Sequence, residues 1–189
     1  MFKKFDIKKT KIKDLFVLTR NIFEDNRGYL DRMFCFDELN VFIKNKAPNQ
    51  INYTKTNKMN TVRGLHFQYP PFSEIKIISC IKGSIFDVAV DLRKNSPTYL
   101  NWHSEVLSEK NYKSLLVPEG FAHGYQTLSD NCELFYIHSS AYNQDYEGGI
   151  NPFDNILNIN WPNAASFISE RDKNHKYISD GFLGLNIEL

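Results

Sequence analysis

Between residues 51 and 139 the chain is a series of short runs rich in Val, Ile, Phe, Tyr and Thr, each ended by Gly, Pro or Asn. Such runs read as strands over residues 51–57, 61–68, 76–81, 84–92, 102–107, 114–117, 121–128 and 133–139. Pro70-Pro71, Lys82-Gly83, Asn95-Ser96-Pro97 and Pro118-Glu119-Gly120 punctuate them. Proline lacks the N–H that a ladder needs, and glycine accepts the positive φ of a tight turn. Short strands at this spacing predict an all-β fold, an antiparallel sandwich or barrel. Upstream, residues 15–18 and 29–34 read as strands on either side of a turn at 25–28. Residues 36–44 read as a short helix with Asp37 near its start. The tail is different: residues 151–161 show little periodicity, and 166–173 read as a loop or one helical turn. With no repeat, linker or low-complexity tract, one domain over residues 1–189 is expected.

A formal net charge of +1 gives no general electrostatic reason to bind nucleic acid or an anionic membrane, so neither partner is expected. Phosphate recognition would have to come from a local cluster. The three cysteines, Cys35, Cys80 and Cys132, are odd in number and form no CxxC, so free thiols are expected. The N-terminus lacks the apolar core of a signal peptide, and no apolar run is long enough to span a bilayer. A cytoplasmic protein is the expectation.

Residues 61–68, Thr-Val-Arg-Gly-Leu-His-Phe-Gln, carry a permanent cation, Arg63, and a proton carrier, His66. Strict alternation puts Arg63, Leu65 and Phe67 on one face and Gly64 and His66 on the other. Lys76 opens a strand, where a solvated lysine is the commoner case. Asp87 lies among apolar residues, so burial with a partner is plausible, and Asp91 at the strand end reads as structural. His123, between Ala122 and Gly124, fits either a ligand contact or a tight β-corner. His103, His138 and His175 have polar neighbours and read as surface residues, Tyr136 as core, and Asp172 as part of an exposed charge run. No His-x-His occurs, which argues against a catalytic metal in a small β-barrel. Neither a glycine-rich phosphate loop nor a Gly-x-Ser-x-Gly elbow is present.

Taken together, these segments resemble the dTDP-4-dehydrorhamnose 3,5-epimerases and related nucleotide-sugar 3- or 3,5-epimerases. The matching pieces run in order: Asp25-Asn26-Arg27-Gly28, Gln50-x-Asn52-x-Thr54-x-Thr56, residues 62–68, Lys76, residues 83–93, Ser96-Pro97-Thr98, residues 118–124, Tyr136, Tyr142, Asn160-Trp161-Pro162 and Ser169-Glu170-Arg171-Asp172. The resemblance implies a cupin-type jelly roll with short peripheral helices. It implies a substrate that is a nucleoside-diphosphate 4-keto sugar, whose ketone acidifies the protons on C3 and C5. By likeness, His66 is the base and Asp172 its partner, Lys76 stabilises the enolate oxygen, and Tyr136 returns a proton on the opposite face. Arg27 and Arg63 would hold the diphosphate, His123 would place sugar or phosphate, and Tyr142 would stack on the base. Gln50, Asn52 and Glu147 carry over to the nucleotide site. The family needs no cofactor and usually works as a homodimer, with strands or aromatic residues crossing between subunits.

Two departures touch the nucleotide end. Arg32 stands where the family usually has a glutamate, and the loop over residues 57–61 is one residue longer than usual and lacks a glycine. They bring in a GDP-4-keto-heptose as an alternative to a dTDP-hexose. A non-catalytic jelly roll that binds a nucleotide sugar, and a 4-keto sugar ketoisomerase, are the competing readings.

Overall fold

The computed structural model describes residues 3–188. Met1, Phe2 and Leu189, the ends of the expected domain, lie outside the described residues. The elements are β1 (Phe5–Lys9), β2 (Phe16–Arg20), β3 (Phe23–Asp25), β4 (Gly28–Leu30), α1 (Phe36–Leu39), β5 (Gln50–Thr56), β6 (Val62–Gln68), β7 (Lys76–Lys82), β8 (Ser84–Asp91), β9 (Trp102–Ser108), β10 (Lys113–Val117), β11 (Phe121–Thr127), β12 (Cys132–His138), β13 (Glu147–Gly149) and α2 (Glu170–Lys173). A six-stranded sheet runs β1-β2-β10-β7-β12-β5 and a five-stranded sheet β13-β6-β11-β8-β9, with β3 and β4 forming a hairpin of their own. The pairing within the sheets is antiparallel, so the fold is the expected all-β jelly roll.

Alternation along the strands builds three apolar layers. Ile78, Cys80, Leu115 and Leu134 of the larger sheet meet Ile85, Ala89, Leu107 and Phe121 of the smaller one. Behind the larger sheet, Leu18, Ile77, Leu116 and Ile137 pack under Leu39 and Ile43. Behind the smaller sheet, Leu65, Val88, Val90 and Ala122 are covered by Ile150, Leu157, Ile178 and Leu185. The aperiodic tail is therefore an outer wall of the fold. It offers single apolar side chains to a sheet face, which needs no helical or strand period.

Several local expectations change. The helix expected over 36–44 covers only four residues, Phe36–Leu39, and gives way to turns that run on to Lys44 and Asn45, both at positive φ. The strand expected over 29–34 is reduced to Gly28–Leu30, and β1 and β13 arise where no strand was expected. Cys35, Cys80 and Cys132 are free, as expected. Asp91, fully buried, accepts from Arg93, Ser96 and Thr98, which makes it the structural residue anticipated. Among the described residues no helix is long and apolar enough to cross a membrane.

The inner apolar layer ends at Tyr125 and Tyr136. Beyond them polar side chains take over, and the space between the sheets opens into a cavity of about 530 Å³.

Candidate active site

Gln50 and Asn52 reach this cavity from β5, Arg63 and His66 from β6, Lys76 from β7, His123 from β11 and Tyr136 from β12, with Tyr142 and Glu147 at its rim. On β5 the alternation is clean: Gln50, Asn52 and Thr54 face in, while Ile51, Tyr53 and Lys55 are exposed. On β6 it is not. His66 pairs with His123, but Arg63 pairs with Tyr125, so three steps on β6 match two on β11. That bulge turns Arg63 to the same side as His66 and corrects the strict alternation expected from sequence. Gly64 and Gly124 make it possible. A Cβ on Gly64 would lie 2.6 Å from the Gly124 Cα, and Gly64 has φ +120°.

Behind His66 is Asp172, 2% exposed despite its charged neighbours in sequence. Ser169 caps α2 by accepting from the Asp172 N–H at 3.0 Å, which turns the carboxylate inward. Asp172 Oδ1 lies 2.9 Å from His66 Nε2, and Oδ2 accepts from the Gly64 N–H at 3.0 Å. Burial alone would raise the Asp172 pKa. The His66 and Gly64 hydrogen bonds outweigh it and hold the carboxyl well below its usual range. With Nε2 against Asp172, Nδ1 of His66 has no hydrogen-bond partner among the described residues. A carboxylate on one nitrogen and a free second nitrogen make an oriented general base.

Lys76 is 8% exposed, so it is not the solvated lysine that its place in sequence suggested. Its ammonium bonds Glu74 at 3.0 Å and lies 3.5 Å from the His66 carbonyl oxygen. Tyr136 stands near His123, with ring centroids 6.0 Å apart. Its phenol pKa is pushed well above the ordinary value by burial, Tyr125 and Asp87. A phenol that keeps its proton at neutral pH is available as a donor. Asp87, fully buried, bonds His123 Nε2 at 2.7 Å through Oδ1, and burial raises its pKa against the opposing pull of His123. That pairing is the partner its apolar surroundings demanded.

Arg27 is the exception. It sits at the tip of the β3–β4 hairpin, exposed and paired with Asp25, and does not line the cavity of its own chain. Arg32 is exposed and also lies outside the cavity.

Sequence reasoning missed Glu74, His138, Arg171 and His175 at this site. His138 is 8% exposed and lines the cavity. His175 packs edge-on to His66 at 5.5 Å, with Nε2 3.6 Å from Asp172 Oδ1, so neither histidine is the surface residue expected. His103, also expected at the surface, has its Nε2 buried without a hydrogen-bond partner. Arg171 bonds Glu147 at 3.1 Å and places a nitrogen 3.1 Å from His66 Nε2. Alternation from Tyr136 to His138 and from Lys76 back to Glu74 was the available signal. For His175 and Arg171, on an irregular tail, there was none. His66, Asp172 and His175 offer ligand atoms within 4.8 Å of one another, a donor set that could take a cation. The Arg171 guanidinium, 3.4 Å from Asp172 Oδ1, already brings positive charge to that point.

The sequence model of the dTDP-4-dehydrorhamnose 3,5-epimerase family matches residues 9–180. The chain belongs to that family. The family member from Shigella flexneri is 37% identical over 173 residues, 91% of this chain and 95% of the relative. That from Escherichia coli K12 is 32% identical over 182 residues, 95% and 97% of the two chains. Among solved structures, the dTDP-6-deoxy-D-glucose-3,5-epimerase of Legionella pneumophila, crystallised with dTDP-4-keto-L-rhamnose, superposes with a TM-score of 0.91 at 29% identity, covering 98% of this chain and 100% of its own. The fold is thus the cupin-type jelly roll, and the chain is an epimerase, an isomerase by reaction class.

Proposed function

We propose that this epimerase inverts C3 and C5 of a dTDP-4-keto-6-deoxyhexose during synthesis of a surface-polysaccharide sugar, working in the cytoplasm as a single-domain homodimer. The observation that carries the reading is the His66–Asp172 pair, 2.9 Å apart, facing a cavity that Lys76 and Tyr136 also enter. His66 removes the proton α to the C4 ketone, and Asp172 carries the imidazolium that results. Negative charge then develops on the C4 oxygen, where the Lys76 ammonium meets it in a water-poor site. Tyr136 delivers a proton from the other side of the ring, and the carbon inverts. No step calls for a metal or organic cofactor. Arg63 and His123 hold the diphosphate and sugar, while Gln50, Asn52, Tyr142 and Glu147 hold the nucleoside.

The dTDP choice is supported by the ligand of the Legionella relative. The argument for a GDP-4-keto-heptose rested on Arg32 and on the loop over residues 57–61, and neither lines the cavity of its own chain. Side-by-side assays with dTDP- and GDP-linked 4-keto sugars in D2O decide the matter. Deuterium should enter at C3 and C5 of the dTDP sugar. Turnover of the GDP sugar alone would overturn the substrate, and exchange with neither would leave a binding module. Carbon NMR of the product excludes a ketoisomerase if the carbonyl stays at C4.

A further inference from the structure

Lys76 has an electrostatic role in this reading, yet it is bonded to a carboxylate that would cancel its charge. Glu74 and Lys76 are both about nine-tenths buried, and their atoms lie 3.0 Å apart. The other Glu74 oxygen, Oε2, is 2.9 Å from His138 Nδ1. His138 Nε2 is 3.4 Å from the Asn52 side-chain nitrogen. Asn52 Oδ1 accepts from Gln50 Nε2 at 3.2 Å, and Gln50 Oε1 accepts from the Tyr142 backbone N–H at 2.9 Å. Every donor in this series has an acceptor, provided His138 is protonated on Nδ1 and accepts on Nε2. The chain runs from Tyr142 through Gln50, Asn52 and His138, and ends on Glu74. The His138 ring also stacks on Tyr136, with centroids 5.9 Å apart and planes 14° from parallel.

An ammonium has three N–H bonds. Glu74 takes one, and the His66 carbonyl, 3.5 Å away, lies in reach of a second. The third is left for a ligand. A carboxylate free to turn both oxygens onto Lys76 would quench the field that an enolate needs. A carboxylate pinned by a second donor cannot.

We propose that His138 and Glu74 are positioning residues: Glu74 fixes Lys76, and His138 takes up the second Glu74 oxygen so that Lys76 keeps its charge for the C4 oxygen. This rests on the epimerase reading above. The same chain ties the nucleoside end of the cavity, at Tyr142, to the enolate end, at Lys76.

The test uses the full-length enzyme and dTDP-4-keto-6-deoxyglucose. His138→Phe keeps a ring to stack on Tyr136 but has no nitrogen for Glu74. It should lower kcat about tenfold, with KM moving less than about threefold. Adding Glu74→Gln removes the charge that His138 no longer holds, and the double variant should recover most of the lost kcat. A merely structural pair gives a different result: both variants lose melting temperature and activity together, and the second substitution rescues nothing. That result, or an unchanged kcat in His138→Phe, overturns the proposal while wild-type turnover leaves the epimerase reading intact. A wild-type enzyme that exchanges no proton on any 4-keto sugar overturns both.

Discussion

Asp172 is the residue whose environment departs furthest from what its sequence neighbours suggest. Glu170, Arg171 and Lys173 are exposed, while Asp172 is buried against His66, Gly64 and Ser169. A linear reading cannot see that difference, because one helical turn decides which side chain points inward. The same blindness hid Lys76, a strand-opening lysine that is in fact enclosed. His66 and Tyr136 were legible only through the ordered set of motifs, since each alone suits a structural role. Removal of the carboxylate charge in Asp172→Asn should lower kcat about a hundredfold, with a smaller change in KM. His66→Asn should nearly abolish deuterium uptake at both carbons, whereas Tyr136→Phe should spare exchange more than inversion, as proton NMR in D2O would reveal. Asp172 also titrates with the fold. Its folded pKa is depressed, so the stability it contributes is complete above the ordinary aspartate range, near 3.9, and is lost as the pH falls below that toward the folded value. Thermal melts from neutral pH down to about pH 2.5 should therefore fall less steeply below about pH 4 in Asp172→Asn than in the wild type.

At the scale of elements, the strands from β5 to β12 were readable because alternation and turn residues mark them. The bulge in β6 was not readable, since a bulge leaves no period, only a glycine. Yet the bulge is what brings Arg63 and His66 to one face, and it depends on Gly64 lying against Gly124. In Gly64→Ala the added methyl would meet backbone at 2.6 Å in a positive-φ conformation, so the strand must shift and His66 with it. Loss of stability of about 1–3 kcal/mol in urea unfolding is expected, together with a fall in kcat. The Ser169 cap acts on the site from the opposite side. Ser169→Ala removes an acceptor from the first turn of α2 and should cost about 1 kcal/mol. Because the lost bond is to Asp172 itself, kcat should fall more than KM rises, which steady-state kinetics would separate.

For the whole molecule, the β3–β4 hairpin raises the question of assembly. Two strands of three residues each, outside both sheets, make a unit that is marginal on its own in water. This one also exposes Tyr29 at 62% and Leu30 at 56%. Strand β5 ends the larger sheet and leaves Ile51 and Tyr53 each 58% exposed, on an edge free to pair. Both features would be covered by a second copy of the chain, as in the homodimer proposed above. Arg27 then has a role that it lacks within one chain, because a hairpin crossing to the neighbour would bring it to the neighbour's diphosphate site. The consequence is specific. Arg27→Ala and His66→Asn should each be poorly active as homodimers. A mixed dimer of the two has one cavity with an intact His66 and an intact Arg27 from the other chain. Unfolding the two variants together and refolding the mixture should therefore restore up to about a quarter of wild-type turnover, by random pairing into symmetric assemblies. Recovery absent from such mixtures, while sedimentation reports a stable dimer, would place Arg27 outside the partner's cavity as well and leave its role to the hairpin alone.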